Sequence, residues 1–218
     1  MSLFTEALYS VALWSKASID SVRGLYMLKK LNRPIITIFG GKRATKENGF
    51  VKQAYELSRL LVQKKFAVIT GGGPGIMQAA NCGAASVHEK KKNDAWTLGI
   101  GVHDINENYD NPCTSVISVN SFYVRKWLLT EFASGYVFFP GGIGTADELF
   151  ELLNLKKHSQ LVSRPIILID QNYWQPLITW YIDRGIKEGF ITVKPAEAFS
   201  LCNTIEQAVS ILERIQAK

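Results

Sequence analysis

Short apolar runs rich in β-branched residues alternate along this chain with segments whose apolar residues recur every three or four positions. The short runs are typical of strands buried on both faces, and the longer segments are typical of amphipathic helices. Strands are predicted at residues 35–39, 66–70, 96–102, 115–119, 136–139, 165–169 and 198–201. Helices are predicted at residues 50–61, 76–83, 121–133, 144–155, 173–187 and 204–216. The alternation predicts an α/β fold: a doubly wound parallel sheet of about six or seven strands with helices on both faces.

The N-terminal segment has a helical pattern of its own. Apolar residues between Phe4 and Tyr26 recur at three- and four-residue spacing, and Pro34 ends the pattern. We expect a helical extension at about residues 1–33, packed on the domain or on a partner subunit, in a chain of 218 residues that forms a single domain. A membrane-surface helix is the alternative, but basic residues are sparse before Lys29.

Composition limits the classes of partner. The net charge of +6 comes from an excess of Lys and Arg in residues 1–109, which could attract nucleic acid or small phosphates. The densest basic run, Lys90–Lys92, has no interleaved aromatic residue, which favours a solvated loop and no nucleic-acid partner. No apolar run is long enough to span a bilayer, and no basic stretch precedes the N-terminal apolar segment. We expect a soluble, cytoplasmic protein without a membrane partner.

The cysteines and histidines show no spacing typical of a disulfide framework or a metal site. Cys82, Cys113 and Cys202 are far apart, odd in number and without a CxxC pair. We expect reduced, mostly buried thiols in a reducing compartment. The three histidines form no HExxH motif and no two-histidine cluster, so no metal is expected.

Two predicted strands run directly into glycine-rich loops that precede helices. The loops are Gly71–Gly75 and Pro140–Thr145. Parallel sheets bind ligands at the carboxyl ends of their strands, and the N–H groups of a helix N-terminus suit a phosphate. A tight turn can hold glycines for structural reasons alone, but two such loops favour a phosphate or nucleotide site. Neither loop matches the P-loop or the dinucleotide fingerprint, so NTP hydrolysis and NAD-dependent oxidoreduction are disfavoured.

Charged residues stand out in the two helices on either side of the second loop. Asp147 and Glu148 fall in the first turn of a helix, where the helix dipole favours acidic side chains for structural reasons. Successive helical residues point about 100° apart, so the two carboxylates cannot share one task, and Glu148 is the one that could face a ligand. Arg125 and Lys126 interrupt an apolar helix and are either a solvent-reaching pair or functional residues.

Three segments together carry a family pattern. They are Ile69–Met77 (ITGGGPGIM), Tyr123–Lys126 (YVRK) and Pro140–Glu148 (PGGIGTADE). They resemble the Lonely Guy (LOG) family of cytokinin-activating phosphoribohydrolases, and the resemblance extends from about Ile35 to Val209. It implies a Rossmann-like fold. It also implies hydrolysis of the N-glycosidic bond of nucleoside 5′-monophosphates, such as AMP or N6-modified AMP, to free base and ribose 5-phosphate.

The resemblance also implies site residues and partners. Arg125 and Glu148 would be the catalytic pair. The substrate-binding residues would be Arg43, Gly72, Gly73, Lys126, Gly141, Gly142, Gly144 and Thr145. A nucleoside monophosphate would be the ligand, no cofactor would be needed, and the chain would form a homodimer or higher homo-oligomer. The chain departs from the usual pattern at Gly41, Lys42, Gln78 and Trp127, which could shift base preference or oligomer contacts.

Breaking an N-glycosidic bond builds positive charge on the ribose, which a carboxylate such as Glu148 can stabilise. Arginine stays charged and is a poor proton donor, so Arg125 is expected to position the nucleotide. A non-catalytic nucleotide carrier or sensor would share both glycine loops, and the pairing of Arg125 with Glu148 favours the enzyme. Lysine decarboxylation, an older label of the family, needs a Schiff-base lysine, and no lysine lies in a supporting context.

Overall fold

The structure is a computed structural model that describes residues 3–87, 96–103, 110–158 and 164–216. The predicted basic loop at Lys90–Lys92 lies outside these ranges. One parallel sheet runs through the molecule, with the strand order β4-β3-β2-β1-β5-β6-β7. Its strands are β1 Ile35–Phe39, β2 Ala67–Thr70, β3 Thr97–Val102, β4 Val116–Val119, β5 Gly135–Phe138, β6 Ile166–Ile169 and β7 Ser200–Cys202. The central strands are buried along their whole length, as their uninterrupted apolar runs predict.

Helices lie before the first strand, in most of the connections between strands and after the last strand. They are α1 Leu3–Lys30, α2 Gly49–Gln63, α3 Ile76–Ala85, α4 Phe122–Thr130, α5 Ile143–Lys157, α6 Gln171–Trp180, α7 Pro195–Ala198 and α8 Ile205–Glu213. A π-helical turn, Tyr181–Ile186, continues α6, and α6 itself contains Pro176, so the helix predicted over 173–187 is not one regular helix. The short helix α7 was not predicted. In the ranges that the structure describes, no helix is both long and apolar enough to cross a membrane.

The sheet separates two apolar cores because alternate side chains of each strand point to opposite faces. On one face, Ile36 and Ile38 of β1 pack with residues of α2, α3 and α8. On the other face, Ile35 and Phe39 pack with residues of α1, α4, α5 and α6. The seven-stranded parallel sheet with helices on both faces confirms the predicted fold class.

The C-terminal half of α1 packs on α4. Gly24 is buried there, and a Cβ atom at this position would collide with Leu128. The Asp20 carboxylate accepts two hydrogen bonds from Asn120, from the backbone N–H at 2.7 Å and from Nδ2 at 2.8 Å. Apolar side chains nearer the N-terminus, such as Trp14, are exposed. The predicted N-terminal helix is therefore present and fixed to the rest of the chain by its second half.

The prediction that all cysteines are reduced is wrong for two of them. Cys82 of α3 and Cys113, three residues before β4, form a disulfide with a Cα–Cα distance of 4.8 Å. Cys202 is a free, buried thiol, as expected. The pairing escapes sequence reasoning because the two residues are 31 positions apart and meet only when β3 and β4 pair beside α3.

Candidate active site

The strand order predicts a ligand-binding crevice at the carboxyl end of β1. Successive connections run from β1 outward to β4 on one side and then return to β5 on the other side of β1. Parallel α/β sheets bind ligands where the strand order reverses in this way, because the neighbouring loops diverge to opposite faces. Three loops therefore border the crevice: those that follow β1, β2 and β5.

Backbone hydrogen bonds join the three loops. The N–H of Gly41, after β1, donates to the carbonyl of Pro140, after β5, at 3.0 Å. The carbonyl of the same Gly41 accepts from the N–H of Ile76, which begins α3, at 3.2 Å. Gly41 thus links the two glycine-rich loops, although in sequence it is only a departure from the family pattern.

A buried network of hydrogen bonds holds the first glycine loop, Gly71–Gly75, from the protein interior. The Gly72 N–H donates to Thr70 Oγ1 at 3.0 Å, and that hydroxyl donates to Asn81 Oδ1 at 2.7 Å. Asn111 Nδ2 donates to the same Asn81 oxygen at 3.0 Å and lies 3.5 Å from the Gly72 carbonyl. Asn81 Nδ2 in turn donates to Thr97 Oγ1 at 2.6 Å. Sequence reasoning missed this network, whose only signal is a set of single polar residues inside apolar elements.

The backbone conformation at position 72 can be adopted readily only by glycine. Its φ is +77°, a region that residues with a side chain rarely adopt, and a Cβ atom would lie 2.9 Å from Val116 Cγ1. With the polar network beneath it, the loop has one well-defined conformation. The predicted loop residue Gly73 is buried beside Gly72 and packs near Met77.

Arg125 lies against this first loop. It projects from α4, and its Nε donates to the carbonyl of Ile100 in β3 at 3.0 Å. A Cβ atom on Gly71 would collide with its Nη2 atom, so Gly71 leaves the space that the guanidinium occupies. The structure therefore brings Arg125 to the first glycine loop, a contact that residue spacing did not predict.

The second glycine loop leads directly into the N-terminus of α5. Gly142 is the N-cap residue and provides no side-chain hydrogen bond to the first turn. The Thr145 side chain is buried close to Gly141, where a Cβ atom would collide with its hydroxyl. The hydroxyl of Tyr173 in α6 donates to the Gly141 carbonyl. Backbone N–H groups of a helix start, a threonine hydroxyl and the helix dipole together suit a bound phosphate.

Glu148 is the most unusual side chain at this site. It is only 7% exposed, and its Oε2 atom has no hydrogen-bond partner. Burial raises the pKa of Glu148 to about 7; nearby Lys126 and Arg125 lower it, and Glu151 and Asp147 raise it. Buried carboxyls with a perturbed pKa in a crevice are typical of functional sites. Near neutral pH, the group can therefore exist in either protonation state.

Lys126 is held by two carboxylates of α5. Its Nζ lies 2.7 Å from Asp147 Oδ2 and 2.8 Å from Glu151 Oε2. Burial alone would lower the Lys126 pKa, but the hydrogen bonds to these carboxylates raise it well above its usual range. The ammonium is thus a fixed positive charge close to Glu148, engaged by protein groups.

The predicted substrate-binding residue Arg43 does not share a pocket lining with Arg125 or Glu148. It is exposed and lines a pocket of about 900 Å³ together with two of the family departures, Lys42 and Gln78. The remaining departure, Trp127, is half-buried and contacts Phe132 edge-to-face, with ring centroids 5.0 Å apart. No group of three or more potential metal ligands is found among the residues that the structure describes.

Sequence comparison identifies similar proteins over most of the chain. A family model described as "Possible lysine decarboxylase" matches residues 77–212. A cytokinin riboside 5′-monophosphate phosphoribohydrolase of Rhodococcoides fascians is 27% identical over 81% of this chain and 88% of its own length. An enzyme of the same name from Oryza sativa subsp. japonica is 24% identical over 82% of this chain and 72% of its own.

Solved structures share the fold. The molybdenum cofactor binding protein of Rippkaea orientalis has a TM-score of 0.59 at 22% identity and covers 84% of this chain and 97% of its own. The Moco carrier protein of Chlamydomonas reinhardtii has a TM-score of 0.60 at 20% identity, over 85% of this chain and 98% of its own. At these identities the likeness extends to the fold alone.

Proposed function

The chain belongs to the Lonely Guy (LOG) family, whose model is described as possible lysine decarboxylase, and from this premise we propose that it is a nucleoside 5′-monophosphate phosphoribohydrolase. The reaction is hydrolysis of the N-glycosidic bond, which gives a free base and ribose 5-phosphate. AMP and N6-modified AMP, such as a cytokinin riboside monophosphate, are the proposed substrates. The relatives from Rhodococcoides fascians and Oryza sativa bear the name of this activity.

The buried, unpartnered Oε2 atom of Glu148 is the observation that carries the proposal. Cleavage of an N-glycosidic bond develops positive charge on the ribose, and a carboxylate beside the sugar stabilises that charge or orients the attacking water. In the unliganded crevice, burial favours the neutral form of Glu148. The positive charge that develops on the sugar in the transition state favours the ionised form. The electrostatic interaction with Glu148 is therefore stronger in the transition state than in the ground state.

Arg125 is proposed to position the nucleotide. A guanidinium remains charged throughout the reaction, so it cannot donate a proton to the departing base. Its bond to the Ile100 carbonyl and its contact with Gly71 hold it on the floor of the crevice, next to the first glycine loop. A fixed cation at this place aligns the substrate and stabilises negative charge.

The N-terminus of α5 is proposed to bind the 5′-phosphate. Gly141, Gly142, Gly144 and Thr145 would surround it, with Glu148 one helical turn further on. Binding energy from the phosphate, which does not react, would then align the glycosidic bond with the carboxylate. Gly72 and Gly73 would border the nucleotide from the other glycine loop. Lys126 would hold the start of α5 against α4 through its ion pairs with Asp147 and Glu151.

Exposed apolar side chains support a homo-oligomer. Tyr123 and Phe122 of α4, next to Arg125, are 71% and 51% exposed, and Ile143 at the start of α5 is 90% exposed. Large apolar residues this exposed around a crevice are typical of an interaction surface. A second copy of the chain would cover them and help to close the site. A cytoplasmic location and a single-domain organisation stay predictions.

Two other functions predict different chemistry. A nucleotide carrier on the same scaffold would use both glycine loops without cleaving the bond. Lysine decarboxylation needs a lysine that can form a Schiff base with pyridoxal phosphate. Lys126, the lysine beside Glu148, is a poor candidate because its two carboxylate partners keep it protonated.

Incubation of the purified protein with AMP, N6-isopentenyl-AMP, other nucleoside monophosphates and adenosine tests the proposal. Free base and ribose 5-phosphate are measured by chromatography. We expect cleavage of AMP or its N6-modified form but not of adenosine, and no base release by Glu148→Gln with nucleotide binding retained. The matched variant Glu206→Gln changes an exposed carboxylate in the first turn of α8, away from the proposed site residues, and should retain cleavage. Binding of monophosphates without cleavage would support the carrier, and unchanged turnover by Glu148→Gln would refute the role of this residue.

A further inference from the structure

A second concave site lies on the opposite side of the sheet from the catalytic pair. The pocket of about 900 Å³ is bordered by the loop after β1, the end of the first glycine loop at Pro74 and Gly75, the N-terminal half of α2 and one side of α3. α2 and α3 pack on one face of the sheet, whereas α4 and α5, which carry Arg125 and Glu148, pack on the other. Neither of these two residues nor the Pro140–Thr145 loop lines the pocket. The roles proposed for Arg125, Glu148 and the second glycine loop therefore do not involve this pocket, although Arg43, which the family resemblance assigns to substrate binding, lines it.

The lining of the pocket combines positive charge with an apolar wall. Four cationic side chains contribute to it: Lys42, Arg43, Lys46 and Lys52. Glu56 is the acidic residue in the lining, and its carboxylate already pairs with Arg59 at 2.8 Å. The apolar part of the lining is formed by Val51, Tyr55, Pro74, Ala79 and Pro112. A volume of several hundred Å³ with an apolar wall and a few polar groups is typical of a small-molecule site.

The disulfide fixes part of this wall. Cys82 lines the pocket from α3, and Pro112, which precedes Cys113, lines it from the loop before β4. The covalent link between these two elements holds that side of the pocket in place, so ordering it would cost a ligand little binding free energy. This side of the pocket is thus preformed.

We propose that this pocket is a second ligand site, which binds a phosphate ester with an apolar or planar body. The excess of cations matches the charge of a phosphate or diphosphate better than that of a single carboxylate. The apolar wall matches a hydrocarbon chain or a nucleobase. Lys42 directly follows Gly41, whose backbone is hydrogen-bonded to Pro140 and to Ile76. A ligand in this pocket therefore lies next to the hydrogen bonds that join the loops around the catalytic crevice.

Equilibrium titration with ADP, geranyl diphosphate and inorganic phosphate, each with the proposed 5′-phosphate site at α5 saturated by ribose 5-phosphate, tests the proposal and distinguishes a nucleotide from a prenyl ester. Two variants address the pocket: Ala79→Trp fills it, and Lys46→Glu/Lys52→Glu reverses exposed charges at its rim. The matched control, Lys29→Glu/Lys157→Glu, reverses two exposed charges elsewhere. We expect ADP or geranyl diphosphate to bind the wild type at least tenfold more tightly than inorganic phosphate. Both pocket variants should weaken that binding at least tenfold, and the control should not.

Unchanged affinity in the charge-reversal variant, which alters only exposed residues and should fold normally, would overturn the proposal. Equal affinity for all three probes would also overturn it, because it would show non-specific attraction of anions by a basic surface. The titration measures binding and needs no turnover. A failure of the proposed hydrolysis would instead appear as a lack of base release, so the two outcomes are distinguishable.

Discussion

Replacement of Glu148 by glutamine should stabilise the fold while it removes base release. The carboxyl group is buried, and its pKa is raised from 4.5 to about 7. At about 1.4 kcal/mol per pH unit, this difference corresponds to about 3 kcal/mol of folding free energy. The wild type pays this cost when the buried carboxylate is ionised, and a neutral amide at the same place does not.

The size of this stabilisation depends on pH. Because the folded pKa lies above the unfolded value, the folded state binds the proton more tightly, and the neutral carboxyl carries no penalty at acidic pH. The penalty grows as the pH rises from 4.5 towards 7 and is complete above neutrality. The advantage of Glu148→Gln over the wild type should therefore rise from near zero at about pH 4 to about 3 kcal/mol at about pH 8.5.

Thermal unfolding followed by circular dichroism measures this difference. For a chain of this size, 1 kcal/mol changes Tm by roughly 2–4 °C, so the variant should unfold roughly 6–12 °C higher than the wild type at about pH 8.5. Glu206→Gln is the control, since it neutralises an exposed carboxylate in the first turn of α8 and should give no such pH-dependent gain. A Tm difference between Glu148→Gln and the wild type that stays constant with pH would show that the carboxyl is not held neutral by burial.

Three further substitutions test how the site is assembled. Lys126→Met removes a cation that lowers the pKa of Glu148, so the acid limb of the pH–kcat profile should move to higher pH; a limb that does not move would exclude this coupling. Tyr173→Phe removes a hydrogen bond to the second glycine loop and should raise KM for AMP about two- to tenfold with kcat nearly unchanged, whereas an equal KM would show that the bond does not hold the loop. Gly71→Ala should displace the Arg125 guanidinium and lower kcat/KM at least tenfold, and full activity would show that this cation is not needed where it lies.

The strands could be predicted from sequence because each central strand is buried on both faces. A run such as Ile35–Phe39 has no charged or strongly polar residue on either face. Its burial and its strand conformation can therefore be predicted from composition alone. Helix ends were predicted less well. The segment predicted as a helix over 121–133 ends at Thr130, and the helix predicted over 173–187 passes through a π-helical turn, whose extra residue has no simple signature in the periodicity.

The sequence placed both glycine loops at strand ends, but it did not reveal what holds them. Asn111 reaches Gly72 and Asn81 only because β3 and β4 lie beside β2 and α3 in the fold. Likewise, Asp147 and Glu151 are spaced four residues apart on α5, but only the packing of α5 beside α4 brings both of them to Lys126. Contacts between elements distant in sequence depend on sheet order, which a single sequence does not specify.

The disulfide and the polar network act on the same part of the molecule. The network ties the Gly72 backbone to Asn81 and Asn111, and the disulfide joins the helix of Asn81 to the loop of Asn111 through Cys82 and Cys113. Loss of the disulfide would therefore free the Asn111 loop and loosen a donor that satisfies buried acceptors in the network. The first glycine loop is fixed from the protein interior before any ligand arrives. A loop held in this way needs no reorganisation when a nucleotide binds against it.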